Sequence, residues 1–340
     1  MAKLRVAING FGRIGRNVFK AGWGRKGIEF VIVNDLSDPK ILVHLLKYDS
    51  VFRTWDHEVK ADEKNLVVDG VKIPVVAEKE PAKLPWKQYK VDVVVESTGR
   101  FTSMEAAREH ITAGAKRVVI SAPAKEVPTY LMGVNHASMP ANLEVVSNAS
   151  CTTNSIAPIV AIMHEKFGVK KAMMSTVHSV TAEQNLVDSV PPPLHPDLRR
   201  ARSALINIVP TTTGAANATT EVIPELKDLF DGIALRVPTI DVSLSDLTMV
   251  LRKSTTAQEI NSVFKAAANT PRWRGVLGVT DEPLVSSDFI GSSFSCVVDL
   301  SMTRVVDGDL VKVLAWYDNE WGYSVHLMDM VEHMGKLLRK

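Results

Sequence analysis

Two cysteines in 340 residues are too few for a disulfide framework, which fits a reducing compartment and leaves each thiol to be judged alone. Charge of one sign is lacking too. Forty basic residues against 38 acidic ones leave a net charge of +2, without the one-sided field of a dedicated nucleic-acid or polyanion binder. No run of eighteen apolar residues passes without a charge, so no membrane-spanning helix is expected. The opening Met1-Ala2-Lys3-Leu4-Arg5 lacks the leader, apolar stretch and cleavage site of a secretory signal. No cluster of His, Cys and carboxylates has metal-ligand spacing, and no repeat or low-complexity tract occurs. The expectation is a soluble, cytoplasmic protein with no metal, membrane or nucleic-acid partner.

What is present is enough apolar sequence, 46%, for one large core or two moderate ones, and the length favours two. The first half alternates short β-branched runs with helical stretches, as in a parallel sheet wound with crossover helices. Strands are predicted over 4–8, 30–33, 91–96 and 117–121, the last two as continuous apolar runs buried on both faces. A helix is predicted over 103–114, started by Thr102 or Ser103 with Glu105 and Glu109 following. After Cys151 the texture changes. A helix over 152–167, stopped by Gly168, precedes alternating stretches at 170–178, 234–242, 244–252 and 294–300, which read as a mixed, largely antiparallel sheet. The proline-rich segment 188–197 reads as an extended surface loop, and a last helix spans about 323–338.

Directly after the first strand stands Gly10-Phe11-Gly12-Arg13-Ile14-Gly15, followed by a helical stretch. A lone GxGxxG is weak evidence, but between a strand and a helix it has a physical reading. Gly10 permits the tight turn, Gly12 lets a pyrophosphate approach the backbone, and the helix amino end offers free N–H groups. The second strand ends in Val33-Asn34-Asp35, and Asp35 lies about twenty residues past the motif, where a carboxylate accepts from the adenosine ribose hydroxyls and repels a 2′-phosphate. NAD is therefore favoured over NADP.

The run Ser147-Asn148-Ala149-Ser150-Cys151-Thr152-Thr153-Asn154 puts a thiol at the mouth of a predicted helix, among polar residues typical of a helix amino end. A nucleophilic cysteine works as its thiolate, so something must lower its pKa. The helix dipole is one support, and a base is the other. Of nine histidines, His178 is the best candidate because it ends a predicted strand, where sites gather. Cys296 sits in an alternating strand without base or helix mouth and reads as packing. His44 and His110 read as structural or solvated.

These motifs, together with Thr211-Thr212-Thr213-Gly214-Ala215-Ala216, Arg236-Val237-Pro238-Thr239 and Trp316-Tyr317-Asp318-Asn319-Glu320-Trp321-Gly322-Tyr323, resemble phosphorylating glyceraldehyde-3-phosphate dehydrogenase over essentially the whole chain. The resemblance implies a Rossmann-type domain over 1–150 with residues 320–340 packing back on it, and an α+β catalytic domain over 151–319. It implies that Cys151 attacks an aldehyde, His178 takes the proton, hydride passes to NAD, and inorganic phosphate displaces a thioester. Thr181 and Arg236 would hold the substrate phosphate; Ser150, Thr152, Thr213 and Gly214 the attacking phosphate, with Arg200 a further contributor. Asn319 would hold the nicotinamide carboxamide with Tyr323 nearby, and Arg13, Ile14, Lys79, Ser97, Thr98 and Ser121 the rest of the cofactor. A homotetramer is implied as well.

The chain also departs from the family. After His178 it reads Ser179-Val180-Thr181-Ala182-Glu183-Gln184, where an aromatic and then Thr-Asn-Asp-Gln is usual. This places the substitutions Val180, Ala182 and Glu183 beside the substrate phosphate and nicotinamide, which bears on substrate affinity more than on reaction type. The 188–197 loop is longer than usual, with Ser189 and Val190 where a leucine-proline pair helps exclude NADP. Asn217 replaces a common lysine, and nothing in the sequence explains it. The rival readings are an erythrose-4-phosphate dehydrogenase, whose threonine run usually differs, a phosphorylating semialdehyde dehydrogenase, which should lack this set of motifs, and a catalytically idle binding protein, which need not keep both Cys151 and His178.

Overall fold

The computed structural model describes residues 2–191 and 197–339. The chain divides into two compact units, Met1–Ala149 with Ser324–Lys340, and Ser150–Tyr323. In the first unit the order is β1 (Leu4–Asn9), α1 (Arg13–Gly22), β2 (Ile28–Asn34), α2 (Pro39–Lys47), the short ladder β3 (Tyr48–Asp49) and β4 (Arg53–Thr54), β5 (Val59–Asp62), β6 (Asn65–Val68), β7 (Val71–Val76), β8 (Val93–Glu96), α3 (Met104–Thr112), β9 (Arg117–Ile120) and β10 (Val145–Ser147). Eight strands form one sheet in the order β10-β9-β8-β1-β2-β7-β6-β5. The six from β10 to β7 are parallel, and β6 and β5 continue as antiparallel hairpins.

The predicted strands of this half are present, and Val93, Val94 and Val95 are wholly buried, as strands covered on both faces require. Successive strands run outward from β1 in one direction as β2 and β7, and in the other as β8, β9 and β10. The order therefore reverses beside β1, and ligands of such sheets bind at the carboxyl ends of the strands at that reversal. Ser103 is the residue that starts α3, its side chain accepting from Ala106 N. Of the two histidines read as structural, His44 is exposed on α2, whereas His110 is wholly buried. Its Nδ1 accepts from Trp86 Nε1 at 3.0 Å, so Nε2 carries the proton donated to Glu96 at 3.0 Å.

The second unit contains α4 (Cys151–Phe167), β11 (Val169–His178), β12 (Val209–Thr212), α5 (Ala215–Val222), β13 (Phe230–Arg236), β14 (Ser243–Leu251), α6 (Ala257–Ala268), β15 (Leu277–Thr280), β16 (Cys296–Val306), β17 (Leu310–Tyr317) and the start of α7 (Trp321–Leu337). Its seven strands lie in the order β12-β13-β11-β14-β17-β16-β15, antiparallel except for β13 with β11 and β15 with β16. Burial alternates residue by residue along β14, the mark of a sheet with one covered face. The helix α4 packs on that face, its Ser155 hydroxyl 3.0 Å from that of Ser245. Gly168, at φ 69°, ends α4 as predicted.

The run 234–242 is corrected. The strand occupies Phe230–Arg236 and ends before Pro238, which has no N–H to extend the ladder, while Thr239 N turns back to Val237 O. Residues 192–196 of the proline-rich segment lie outside the described residues. Cys296 is wholly buried in β16, where burial alone pushes its thiol far up.

One buried pair makes stability depend on pH. Asp241 is 3% exposed, and neither of its oxygens has a hydrogen-bond partner at ordinary distance among the described residues. Burial, then the neighbouring charges of Asp318 and Glu320, raise its pKa well above the carboxylate range. A carboxyl raised in the folded state contributes fully below the unfolded value of about 4, and that contribution is lost as pH rises toward the folded value. Asp241→Asn is therefore expected to be more stable than the parent at pH 8 by about 1–3 kcal/mol, with the gap closing at pH 5. Denaturant melts at the two pH values check this, and a gap independent of pH counts against it.

Candidate active site

The first constellation lies at the carboxyl ends of β1, β2 and β8. Gly10 has φ 91°, and a side chain there would meet the backbone N of Thr98 at 2.8 Å, so only glycine makes this turn. A side chain at Gly15 would meet Gly10 O at 2.1 Å, whereas Gly12 faces open space, which is what a bound phosphate needs. Asp35 ties the loop in place: its Oδ2 accepts from Phe11 N at 2.8 Å and its Oδ1 from Ser37 N at 2.9 Å. Each oxygen keeps a lone pair for a ribose hydroxyl. The cleft beside them, about 520 Å³, is lined by Gly10, Gly12, Asp35, Lys79, Ser97 and Thr98 of the residues singled out in the sequence.

Asn34, Glu78 and Arg100 also line this cleft, a role that no motif in the sequence marks. Asn34 bonds Asn9 Oδ1 at 2.6 Å and both the N–H and C=O of Glu78, bracing the strand ends. Arg13 and Ile14 open α1 outside this lining, and Arg13 is held by Asp49 at 2.6 Å. Ser121 follows β9, its N–H donating to Glu96 O.

The second constellation is built around Cys151, the first residue of α4. Ser150 caps that helix, its hydroxyl accepting from Thr153 N at 3.1 Å. Ala149 just before it takes φ 53°, a left-handed conformation costly for a residue with a Cβ. His178 closes β11, and the parallel register places it beside Arg236, the last residue of β13. The sulfur lies 3.5 Å from His178 Nε2. His178 Nδ1 is 2.7 Å from Ser179 O and 3.2 Å from Arg236 Nη1. The shorter contact is to a carbonyl, which only accepts, and Arg236 Nη1 has Ser179 O and the Thr181 hydroxyl as acceptors, so Nδ1 carries the proton and the Nε2 lone pair faces the thiol.

Burial dominates the electrostatics of this pair. It pushes the Cys151 thiol up to about 11, against the opposing pull of Arg236 and a hydrogen bond from Thr152. Burial, then the Arg236 charge, pushes His178 down to about 3. The resting pair is thus a neutral thiol facing a neutral imidazole, and the lowered thiol pKa expected from the helix mouth is not the balance that results.

Around them lie donors for anions. Arg236 Nη1 donates to the Thr181 hydroxyl at 2.8 Å and to Ser179 O at 3.2 Å, while its Nε is buried without a partner among the described residues. Arg200, 6% exposed, donates through Nε to Thr211 at 3.1 Å. The Thr152 hydroxyl instead meets Tyr317 at 3.0 Å, turning its side chain into the core. Thr213 and Gly214 form the head of α5, where the Thr213 hydroxyl accepts from Ala215 N and Gly214 faces open space. Asn319 Oδ1 accepts from the hydroxyls of Ser179 and Ser243 at 2.9 and 2.8 Å, which leaves its amide nitrogen as the group that can donate to a ligand. Tyr323 is buried in the first turns of α7. Ser179 and Ser243 were not legible as site residues in the sequence.

Residues 150–319 match the C-terminal domain of glyceraldehyde 3-phosphate dehydrogenase, and residues 4–104 match the NAD binding domain of that enzyme. A glyceraldehyde-3-phosphate dehydrogenase 1 of Bacillus cereus is 52% identical over 332 residues, covering 97% of this chain and 98% of the relative. The corresponding enzyme of Zymomonas mobilis is 50% identical over 339 residues, covering 98% and 99%. That of Borreliella burgdorferi is 47% identical over 340 residues, covering 98% and 100%.

Proposed function

Because the chain belongs to the glyceraldehyde-3-phosphate dehydrogenase family, we propose that it oxidises glyceraldehyde 3-phosphate with NAD and inorganic phosphate to 1,3-bisphosphoglycerate, a glycolytic step. The observation that carries this reading is the Cys151 sulfur 3.5 Å from a proton-accepting His178 Nε2, with two arginines alongside. His178 takes the thiol proton as sulfur bonds to the aldehyde carbon, and the imidazolium returns it to the new oxyanion. NAD, when bound, accepts the hydride. His178 then removes the hydroxyl proton of the hemithioacetal, leaving an acyl group on Cys151 as a thioester. Phosphate oxygen attacks that carbonyl carbon, the C–S bond breaks, and the sulfur leaves as a thiolate that His178 reprotonates. A thioester keeps the oxidation energy available for this capture, where an oxygen ester would not.

Thr181 and Arg236 suit the substrate phosphate, and Ser150, Thr213, Gly214 and Arg200 the attacking one, since guanidinium groups bind two oxygens at fixed geometry. Asn319 suits the nicotinamide carboxamide, with its donor fixed by two hydroxyls. The two structural units correspond to a cofactor domain and a catalytic domain, in a cytoplasmic enzyme. NADH formation from glyceraldehyde 3-phosphate, with and without inorganic phosphate, and with erythrose 4-phosphate as competitor, tests the reading; turnover independent of phosphate overturns it. The Asp35 carboxylate favours NAD, so rates with NADP are expected to be lower.

A homotetramer is part of the same proposal. Met173, Ile233 and Leu310 stand exposed on the open face of the second sheet, and Leu186, Val187, Val190, Ile206 and Ile208 on the segment after β11. Apolar surface on this scale is normally covered in an assembly. Sedimentation of the purified protein is expected to give about four chains per particle, and a stable monomer counts against it.

A further inference from the structure

Glu183 occupies the space where a phosphate would be expected. A single oxygen of its carboxylate, Oε1, lies 3.3 Å from Arg200 Nη1 and 3.4 Å from Arg236 Nη2. The two guanidinium groups are 7% and 11% exposed, whereas the carboxylate is 30% exposed. Two arginines this buried and this close oppose one another, and Glu183 and Asp197 are the charges that offset the strain on Arg200. Glu183 is ionised in that position: burial would raise its pKa, but Arg236, the Thr181 hydroxyl and Arg200 outweigh it and hold the carboxyl below its ordinary range.

The contact is a loose one. Both distances exceed the 2.7–2.9 Å of a strong charge-assisted bond, and one oxygen serves both cations where a bidentate fork would use two. A phosphate group brings more oxygens and more charge to the same donors. The side chain is exposed enough, on the segment following β11, to swing away without disturbing the sheet.

Resting on the function proposed above, we propose that Glu183 is a tethered counter-anion, which holds Arg200 and Arg236 apart from one another's charge in the unliganded enzyme and must be displaced by phosphate. It is a specificity-determining residue that sets how weakly the site holds phosphate, and it re-enters as the acyl phosphate departs. The arginines could be claimed by the phosphate of the aldehyde or by inorganic phosphate, and the two are separable because each has its own KM.

The test is Glu183→Gln, which keeps the shape and removes the charge, with Glu183→Asp as a variant that keeps the charge on a shorter arm. Removing a competing charged contact is expected to lower the KM for one or both phosphates by about tenfold, with kcat moving less, and Glu183→Asp should stay closer to the parent. A fall confined to the KM for inorganic phosphate assigns the displaced contact to the attacking group, and a fall confined to the aldehyde assigns it to the substrate. Calorimetric titration of the full-length protein with inorganic phosphate alone should show tighter binding by Glu183→Gln. That measurement needs no turnover, so it separates failure of this inference from failure of the enzymatic reading. Phosphate binding that is unchanged or weaker in a folded Glu183→Gln protein overturns the proposal and makes Glu183 a clamp that orients the arginines.

Discussion

Replacing Cys151 by serine is expected to abolish phosphate-dependent oxidation of glyceraldehyde 3-phosphate while leaving NAD binding intact. The sulfur contributes twice. As nucleophile it gives up its proton to His178 at a pKa of about 11 in this half-buried setting, several units below an alcohol. As leaving group it departs from an acyl carbon readily enough for phosphate to displace it. Serine fails in both steps, so a loss on the order of 10³-fold or more in kcat/KM is expected. The cleft with the glycine-rich loop draws its lining from residues of the first unit alone, so NAD titration followed by fluorescence should give an affinity within about twofold of the parent. Retained turnover would remove the central claim; lost NAD affinity would mean the substitution disturbed more than the thiol.

How much of this was legible beforehand depended on whether the signal was local. The glycine motif and Asp35 could be read because a tight turn and a ribose acceptor are requirements of a few adjacent residues, and the structure draws them together through the Phe11 N to Asp35 bond. The helix ending at Gly168 was equally local. The hairpins over Val59–Asp62, Asn65–Val68 and Val71–Val76 were not anticipated, although Asp69-Gly70 takes positive φ at both residues, the signature of a two-residue hairpin turn. Thr256 caps α6 through Glu259 N, another start signal that is local in the sequence. What could not be read was register. His178 meets Arg236 across β11 and β13, 58 residues apart, and no periodicity specifies that pairing. The same holds for Ser179 and Ser243 converging on Asn319. Glu183 stood out as a departure from the family, but its bridge between two arginines depends on where three separate segments end. Burial was the other hidden quantity. The polar residues around Cys151 suggested a thiol stabilised as its anion, yet the surrounding protein removes water and favours the neutral pair.

That neutral pair determines what the loss of His178 should look like. With the thiol near 11 and the imidazole near 3, the thiol–imidazole pair and the thiolate–imidazolium pair carry the same number of protons. The proton can move between them without exchange with solvent, so this pair imposes no inflection on kcat/KM between about pH 4 and pH 10. His178→Asn removes the acceptor. The rate is expected to fall by about 10²–10⁴-fold near neutrality, and the remaining attack must wait for thiolate formed by loss of a proton to solvent. Its kcat/KM should then rise about tenfold per pH unit until the thiol pKa is approached. Alkylation of the protein by iodoacetamide gives an independent reading, because Cys296 is wholly buried and Cys151 is half-buried, so the reagent reaches Cys151 first. A variant whose residual rate stays flat with pH would mean that another group takes the proton, and His178 would then be a residue that positions the sulfur without accepting its proton.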